Sequence, residues 1–457
     1  MWEYNIWPWE PLQSGVRLPL SFLLTGERRL PANSIGSVRQ VPSVDRNEDL
    51  GVGHTFASLG NRDYLYLWTG NLFNTAGQWI QQITVGWLVW EMSQSPLMVG
   101  VVGGLRAVPF LFMGPIGGVA ADRLDRRRML MATQVVMALV AIAFAADVAL
   151  KWVQVWHALL FSFVTGCGFA LNMPVRQSLI ANTVPKRHLG NAIALSAMAA
   201  NITRVIGPAV GGVLIVAMGA AANFVIQAGL FLCMVAIVFP MKVRYRDTVV
   251  LRRASAMGNL KDGFRYVVGE KTLLGLVMIS YVPSLFVMPV IQQLPVFAEE
   301  VLHSGANVYG YLMSAFGVGG LLATLAMAYF GNTIRSGLLG IIALVLSSVI
   351  VVLFSMSGLM PLSLVLIGLL GLSQMMFRVN NNTLVQTIAP DEFRGRVMSI
   401  YQLDHALMPL ASFILGVCAE VFSAPNAVAV SGLLSLAATV TLMVAIKPMR
   451  NVRRLRV

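Results

Sequence analysis

"GGVAADRLDRRRML", residues 117–130, is the stretch on which the reading of this chain turns. Six of the seven residues from Asp122 to Arg128 are charged, and the run before them is apolar. Across all 457 residues only 12% are charged and 57% are hydrophobic, with mean hydropathy +0.72. Soluble domains carry about 25% charged and about 45–50% apolar residues. A dense charge cluster closing an apolar run, in a chain this apolar, marks where a segment leaves a lipid bilayer.

Working outward, twelve apolar runs lie near 64–90, 96–120, 129–150, 155–175, 190–217, 221–241, 273–298, 305–330, 336–356, 360–380, 397–421 and 426–446. Each approaches the roughly 20 residues that a helix needs to cross the hydrocarbon core. Lipid offers the backbone no water, so only helices or closed barrels cross it. These runs are continuous rather than alternating, which predicts an all-α integral membrane protein of twelve transmembrane helices.

Basic residues set the orientation, since Lys and Arg concentrate in cytoplasmic loops. With both termini cytoplasmic, the inner segments hold Arg123, Arg126, Arg127 and Arg128, then Lys186 and Arg187, the 242–272 linker, Arg335, Arg394 and Arg396, and the tail from Lys447. The six outer loops hold Lys151 alone. The net charge of +13 is thereby placed in inner loops, facing anionic headgroups. No nucleic-acid-reading motif accompanies it. Multi-pass insertion in the cell's inner (plasma) membrane is expected.

The organisation is read as an N-terminal extension (1–60), a first six-helix half (61–241), a linker (242–272), a second half (273–446) and a basic tail (447–457). Residues 1–60 are rich in Pro, Ser, Gly and Arg and show no signal peptide. They read either as a disordered cytoplasmic extension or as an over-long translation start. In the linker, "NLKDGFRYVV" (259–268) predicts a short surface helix. The halves also echo one another. "SLIANTVPKRHLGNAIA" (178–194) and "TLVQTIAPDEFRGRVMS" (383–399) align at an offset of 205, pairing Leu179 with Leu384, Pro185 with Pro390 and Gly190 with Gly395. Parallel six-span halves with a site between them are a known transporter architecture.

The opening stretch, as "GVAADRLDRRR" (118–128), resembles the loop 2–3 signature of the major facilitator superfamily, Gly-x-x-x-Asp-Arg-x-Gly-Arg-Arg/Lys. Gly118, Asp122, Arg123, Arg126 and Arg127 match it, and Asp125 stands in place of the second glycine. "RVIGPAVGG", "LPVFAEEVL" and "PDEFRGRVMS" are similar to the branch that includes bacterial siderophore and macrolide exporters. The resemblance covers roughly residues 60–446. It implies two pseudo-symmetric six-helix bundles and transport by alternating access. It also implies an inner latch at Asp122, near the "RGRV" start of span eleven, whose helix N-terminus favours a carboxylate. "GPAVGG" resembles the antiporter signature in span five, with Gly207, Pro208, Gly211 and Gly212; close helix packing is the other reading.

Polar groups inside spans supply the remaining candidates. In span one, Asn71, Asn74, Gln78, Gln81 and Gln82 share one helical face about 16 Å long. An amide stripe facing lipid is costly, so it faces a cavity or another helix, and a cavity is the favoured reading. Span ten carries Gln374, Arg378 and Asn382 at i, i+4, i+8. Arg106 and Arg204 lie within spans two and five; structural pairing or a positive cavity lining accounts for them, and a positive lining favours anionic cargo such as siderophores. Asp404 and His405 in span eleven are candidates for proton coupling, with a static buried pair as the alternative. Pro283, Pro289 and Pro295 predict bends in span seven.

Function is expected to be secondary transport, foremost proton-coupled export of a small organic molecule. Uptake, lipid movement or a non-transporting receptor remain open. "VVGEKT" (267–272) lacks a Walker ending, so ATP is not expected as a partner, and no enzyme motif, cofactor or metal set is visible. Protein partners are undetermined. Cys167, Cys233 and Cys418 read as small buried apolar residues.

Overall fold

The computed structural model describes residues 56–110, 112–113, 116–117, 120, 124–242, 256–330 and 336–446. The chain divides into two units, residues 1–51 and 52–457, and every described residue belongs to the second. Gly118, Asp122, Arg123, residues 1–55 of the N-terminal extension and the basic tail lie outside the described residues; the end of the extension, Ala57–Gly60, is a helical turn whose Ser58 bonds to Asn191 and His188.

All described elements are helical. In the first half α1 is Arg62–Ser93, α2 Pro96–Leu105, α3 Arg126–Ala149, α4 Val155–Thr183 and α5 Leu189–Val238. The amphipathic α6, Ala256–Gly269, precedes the second half. There α7 is Lys271–Phe286, α8 Ala306–Phe330, α9 Ser336–Ser355, α10 Met360–Ile388, α11 Asp391–Tyr401, α12 Asp404–Phe422 and α13 Ala424–Ala445.

Local chemistry sets these boundaries. The Asn61 side chain caps α1 by accepting from the Asp63 N–H, and Ser95 caps α2 with Pro96 in its first turn. Asp125 caps α3 by accepting the Arg128 N–H at 2.8 Å. The residue that replaces the family glycine therefore starts the next helix. The 50-residue α5 breaks at Gly219, where φ is 81°, a conformation open to glycine, and so serves as two spans. After α7 the chain passes through short helical turns, Met288–Gln292, Leu294–Val296 and Phe297–Val301, with Pro289 and Pro295 opening the first two. Span eleven is not continuous: it breaks at Gln402–Leu403 between α11 and α12.

Nine of the described helices are long and apolar enough to cross a membrane. One of them is the doubled α5, and α1 and α2 join the set, consistent with twelve spans. The five amides of α1 lower its hydropathy without preventing its burial.

Within the first half the core stacks Phe144 on Phe161 at 4.4 Å, with Phe224 edge-on to both. Between halves there is little hydrophobic drive in lipid, so close backbone approach matters. Two glycine seams provide it. Where α2 meets α12, a Cβ at Gly104 would lie 2.8 Å from the Pro409 carbonyl oxygen. Where α5 meets α8, a Cβ at Gly212 would lie 2.6 Å from the Ala306 carbonyl oxygen, and one at Gly310 the same distance from that of Pro208.

Candidate functional site: a polar cavity between the halves

Both seams lie toward the end of the helices that carries Ser95, and cross-half hydrogen bonds cluster there. The Trp90 indole N–H donates to Glu299 Oε2 at 2.6 Å. Ser95 Oγ and the Leu97 N–H donate to Glu420 Oε2 at 2.7 and 3.3 Å. Gln293 Nε2 donates to the Pro96 carbonyl at 3.1 Å. Glu299 and Glu420 belong to the second half, and their donors to the first. None of these residues was singled out from sequence; nothing in "LPVFAEEVL" says where its carboxylates point.

Below this closure, toward the Arg126 end, lies a cavity of about 210 Å³. The first half contributes Trp79, Gln82 and Arg204 to its wall; α7, α8, α10, α11, α12 and the turns after α7 supply the rest. Three charged side chains face it: Arg204, Arg378 and Asp404. The Arg204 guanidinium sits 5.9 Å from the Trp79 ring centroid, a cation–π contact, and is near enough to Arg378 for their charges to repel. Arg378 is exposed although it lies mid-helix in α10. Gln374, one turn earlier, is buried, and its Nε2 has no hydrogen-bond partner. Asp404 opens α12, where a helix N-terminus favours negative charge. Its Oδ2 accepts from Ser284 Oγ at 3.4 Å. The Tyr401 ring borders the same space.

The amide stripe of α1 divides between the two readings, cavity and helix packing, with the favoured cavity reading holding for one residue of the five. Gln82 alone of the five lines the cavity, and its Oε1 accepts from Arg106 at 3.1 Å. Asn71, Asn74, Gln78 and Gln81 are buried. Gln78 donates to Asn74, Gln81 donates to Thr165 Oγ1 at 2.7 Å, and Gln227 donates back to Gln81 at 2.9 Å. Gln82 is 100° around the helix from Gln81, enough to separate the cavity from the bundle interior. Arg106 does not line the cavity; it reaches it through Gln82 and stacks 5.8 Å from Phe169.

The glycines of the span-five motif serve two contacts. Gly207 and Gly211 seat α5 on α1 beside Trp79 and Ile80, while Gly212 faces α8 across the seam. Asn382 lies outside the central cavity. It accepts from Gln386, and with Thr383, Thr387 and Arg394 it lines a second polar pocket of about 370 Å³. Gln374, Arg378, Asn382 and Gln386 thus form a track about 18 Å long down one face of α10. At the Arg126 end, the Arg127 guanidinium donates to the Phe239 carbonyl and lies over that ring, tying α3 to the end of α5. Arg126 is half-buried. The His405 side chain lies outside the described residues. No cluster of metal-ligating side chains occurs among the described residues.

Comparison with known proteins agrees with this architecture. The chain is 26% identical over 391 residues to the staphyloferrin A transporter of Staphylococcus aureus, covering 82% of this chain and 94% of that protein. It is 24% identical to the multidrug efflux pump Tap of Mycolicibacterium fortuitum, covering 76% and 86%. It is 23% identical to the enterobactin exporter EntS of Escherichia coli, covering 67% and 72%. In fold it is similar to the inward-facing, unoccupied crystal structure of a bacterial homolog of the human lysosomal transporter Spinster, with TM-score 0.66 and 14% identity over 88% of this chain and 97% of that one. The D-xylose-proton symporter is similar at TM-score 0.65, 15% identity, covering 83% and 96%. The transmembrane secretion effector family matches residues 53–454. With that match over an all-helical membrane architecture built around a central cavity, the chain belongs to the transmembrane secretion effector family and is a multi-pass major facilitator transporter, not an enzyme.

Proposed function

We propose that this transporter exports a small organic molecule with anionic groups from the cytoplasm, in exchange for protons, by alternating access. The observation that carries the reading is the pair of arginines, Arg204 and Arg378, facing one cavity that holds a single carboxylate, Asp404. Two guanidiniums against one carboxylate make the lining net positive, and a cavity lined by one sign of charge favours cargo of the other. Trp79, Met313 and Phe316 add apolar surface for the body of the cargo. Relatives named for staphyloferrin A, enterobactin and drug efflux support export and a small organic cargo.

The seams support an inward-open reading of the molecule. Solvent reaches Arg378, the Ser95 end is closed by glycine contacts and carboxylate bonds, so access is from the Arg126 end. Positive-inside orientation makes that end cytoplasmic, with both termini there, in the inner membrane. The cavity is then open inward, ready to load. Asp404 is the proton-binding carboxylate of this scheme, with His405 beside it in the chain, and the loop 2–3 residues Gly118, Asp122 and Arg123 close the inner end when cargo leaves outward.

Proteoliposomes test the reading. Counterflow of a labelled tricarboxylate should occur with the wild-type chain and fall at least tenfold in Arg204→Gln or Arg378→Gln at equal insertion. Asp404→Asn should lose uptake driven by a pH gradient while keeping gradient-free exchange. Neutral cargo moved equally well by both arginine variants overturns the anion assignment. Loss of exchange together with driven flux in Asp404→Asn overturns the proton assignment.

A further inference from the structure

The α6 helix takes no part in the cavity, and its two sides differ. One side is packed on α11. Gly263 and Val267 are buried, a Cβ at Gly263 would stand 2.9 Å from the Arg396 carbonyl oxygen, and the Tyr266 ring stacks on Phe393 at 4.5 Å. The other side is open. Phe264 and Val268, one turn apart, are 60% and 48% exposed, and Arg265 between them is exposed as well. Water is an unfavourable solvent for that apolar edge. Glu270 alone separates α6 from α7, which is a membrane span from Lys271. The open edge therefore sits at the margin of the bilayer.

Charge identifies the lipid. Residues 242–271 hold eight basic and three acidic side chains, so the segment is strongly positive beside a surface that carries phosphates. An apolar helix edge flanked by basic residues lies in the plane of the interface, and anionic headgroups strengthen its binding.

We propose that α6 is an interfacial helix that docks on anionic phospholipid headgroups and thereby braces α11. Phe264 and Val268 reach the acyl boundary, and Arg265 meets the phosphates. The consequence for transport comes through α11. It ends at Tyr401, which borders the cavity, and the chain breaks at Gln402–Leu403 before Asp404. A docked α6 holds the segment that must move when this break flexes. The proposal is independent of cargo, direction and coupling ion.

The test uses the full chain with Cys167, Cys233 and Cys418 replaced by Ala and a nitroxide on Phe264→Cys. The vesicles are phosphatidylcholine, alone or mixed with phosphatidylglycerol. Oxygen should relax the label several-fold more than a water-soluble nickel chelate does, and more strongly with phosphatidylglycerol present. Val268→Cys gives the same readout if Phe264→Cys does not insert. A label open to the chelate in both vesicle types overturns docking, and equal depth in both overturns the anionic assignment. For the brace, added phosphatidylglycerol should raise transport at least twofold in the wild type and not in Phe264→Ser/Arg265→Gln. A wild-type rate indifferent to phosphatidylglycerol overturns that step.

Discussion

The carboxylate bonds at the Ser95 end make a quantitative prediction about the balance between closed and open states. Glu299 and Glu420 sit on the second half, and the indole of Trp90, the Ser95 hydroxyl and the Leu97 N–H on the first. Opening this end breaks all three bonds. Hydrogen bonds to charged groups contribute about 1.5–3 kcal/mol each. Glu420 is exposed, so solvent screening reduces its two bonds to about 1 kcal/mol together. Trp90 is fully buried, and its bond to Glu299 retains about 1.5 kcal/mol. Neutralising both carboxylates, Glu299→Gln with Glu420→Gln, should therefore shift the closed-to-open ratio by up to about 2.5 kcal/mol, or roughly fifty- to hundred-fold. Double electron–electron resonance between labels on Leu150→Cys and Phe422→Cys, both exposed near this end, reads the two populations directly. The long-distance population should rise in each single variant and most in the double. A cycle of Trp90→Phe against Glu299→Gln should give a coupling of about 1 kcal/mol or more. An unmoved distance distribution, or additive effects in the cycle, would refute the latch.

Three further predictions rest on other contacts. Gly212→Ala or Gly310→Ala puts a Cβ 2.6 Å from a backbone oxygen across the seam, so either should cut flux more than tenfold with the open population enriched; Gly190→Ala, with nothing within 4 Å, should transport normally. Cysteine at Gln82 should react with a water-soluble thiol reagent several-fold faster than cysteine at Gln81, and equal rates would remove the division of the amide stripe. Asp125→Ala removes the side-chain cap of α3 and should lower the midpoint of thermal unfolding, by an amount corresponding to about 1 kcal/mol, and Asp125→Asn should restore it.

How much of this was legible in the sequence depended on range. Apolar runs, basic loops and the bends at Pro289 and Pro295 are local properties and were readable directly. The helix start at Asp125 was also local, since Asp before a helical run is a cap signal, but the family pattern drew attention to the missing glycine instead. The stripe on α1 was visible as a periodicity, yet periodicity gives a face and not its neighbour. Which amides meet Thr165 and Gln227 and which meets Arg106 is set by helices more than 20 residues away in the chain. Arg204, Arg378 and Asp404 stood out because ionisable residues are rare in spans, and the structure brings the three to one cavity. Glu299 and Glu420 carried no such signal, because acidic residues near span ends are ordinary.

The two halves divide the work unequally, and the buried amides explain why. In the first half, Gln81, Thr165 and Gln227 link three helices, and Asn223 donates to both Thr84 and the Gly211 carbonyl. Such cross-helix bonds in lipid hold a bundle together, since parting its helices would strand polar groups. In the second half two of the spans that wall the cavity are interrupted, beside the continuous α8 and α10: the span after Phe286 is cut at Val287 and Gln293, and span eleven at Gln402–Leu403. Discontinuous helices expose backbone ends to a cavity and concentrate bending at a few residues. The first half presents Trp79, Gln82 and Arg204 as a wall, while Ser284, Tyr401 and Asp404 sit within a few residues of the breaks. Motion at a break therefore changes the spacing between Asp404 and the Arg204 wall directly. In the proposed scheme, cargo and proton act on the same short segments whose bending exchanges the open end of the halves.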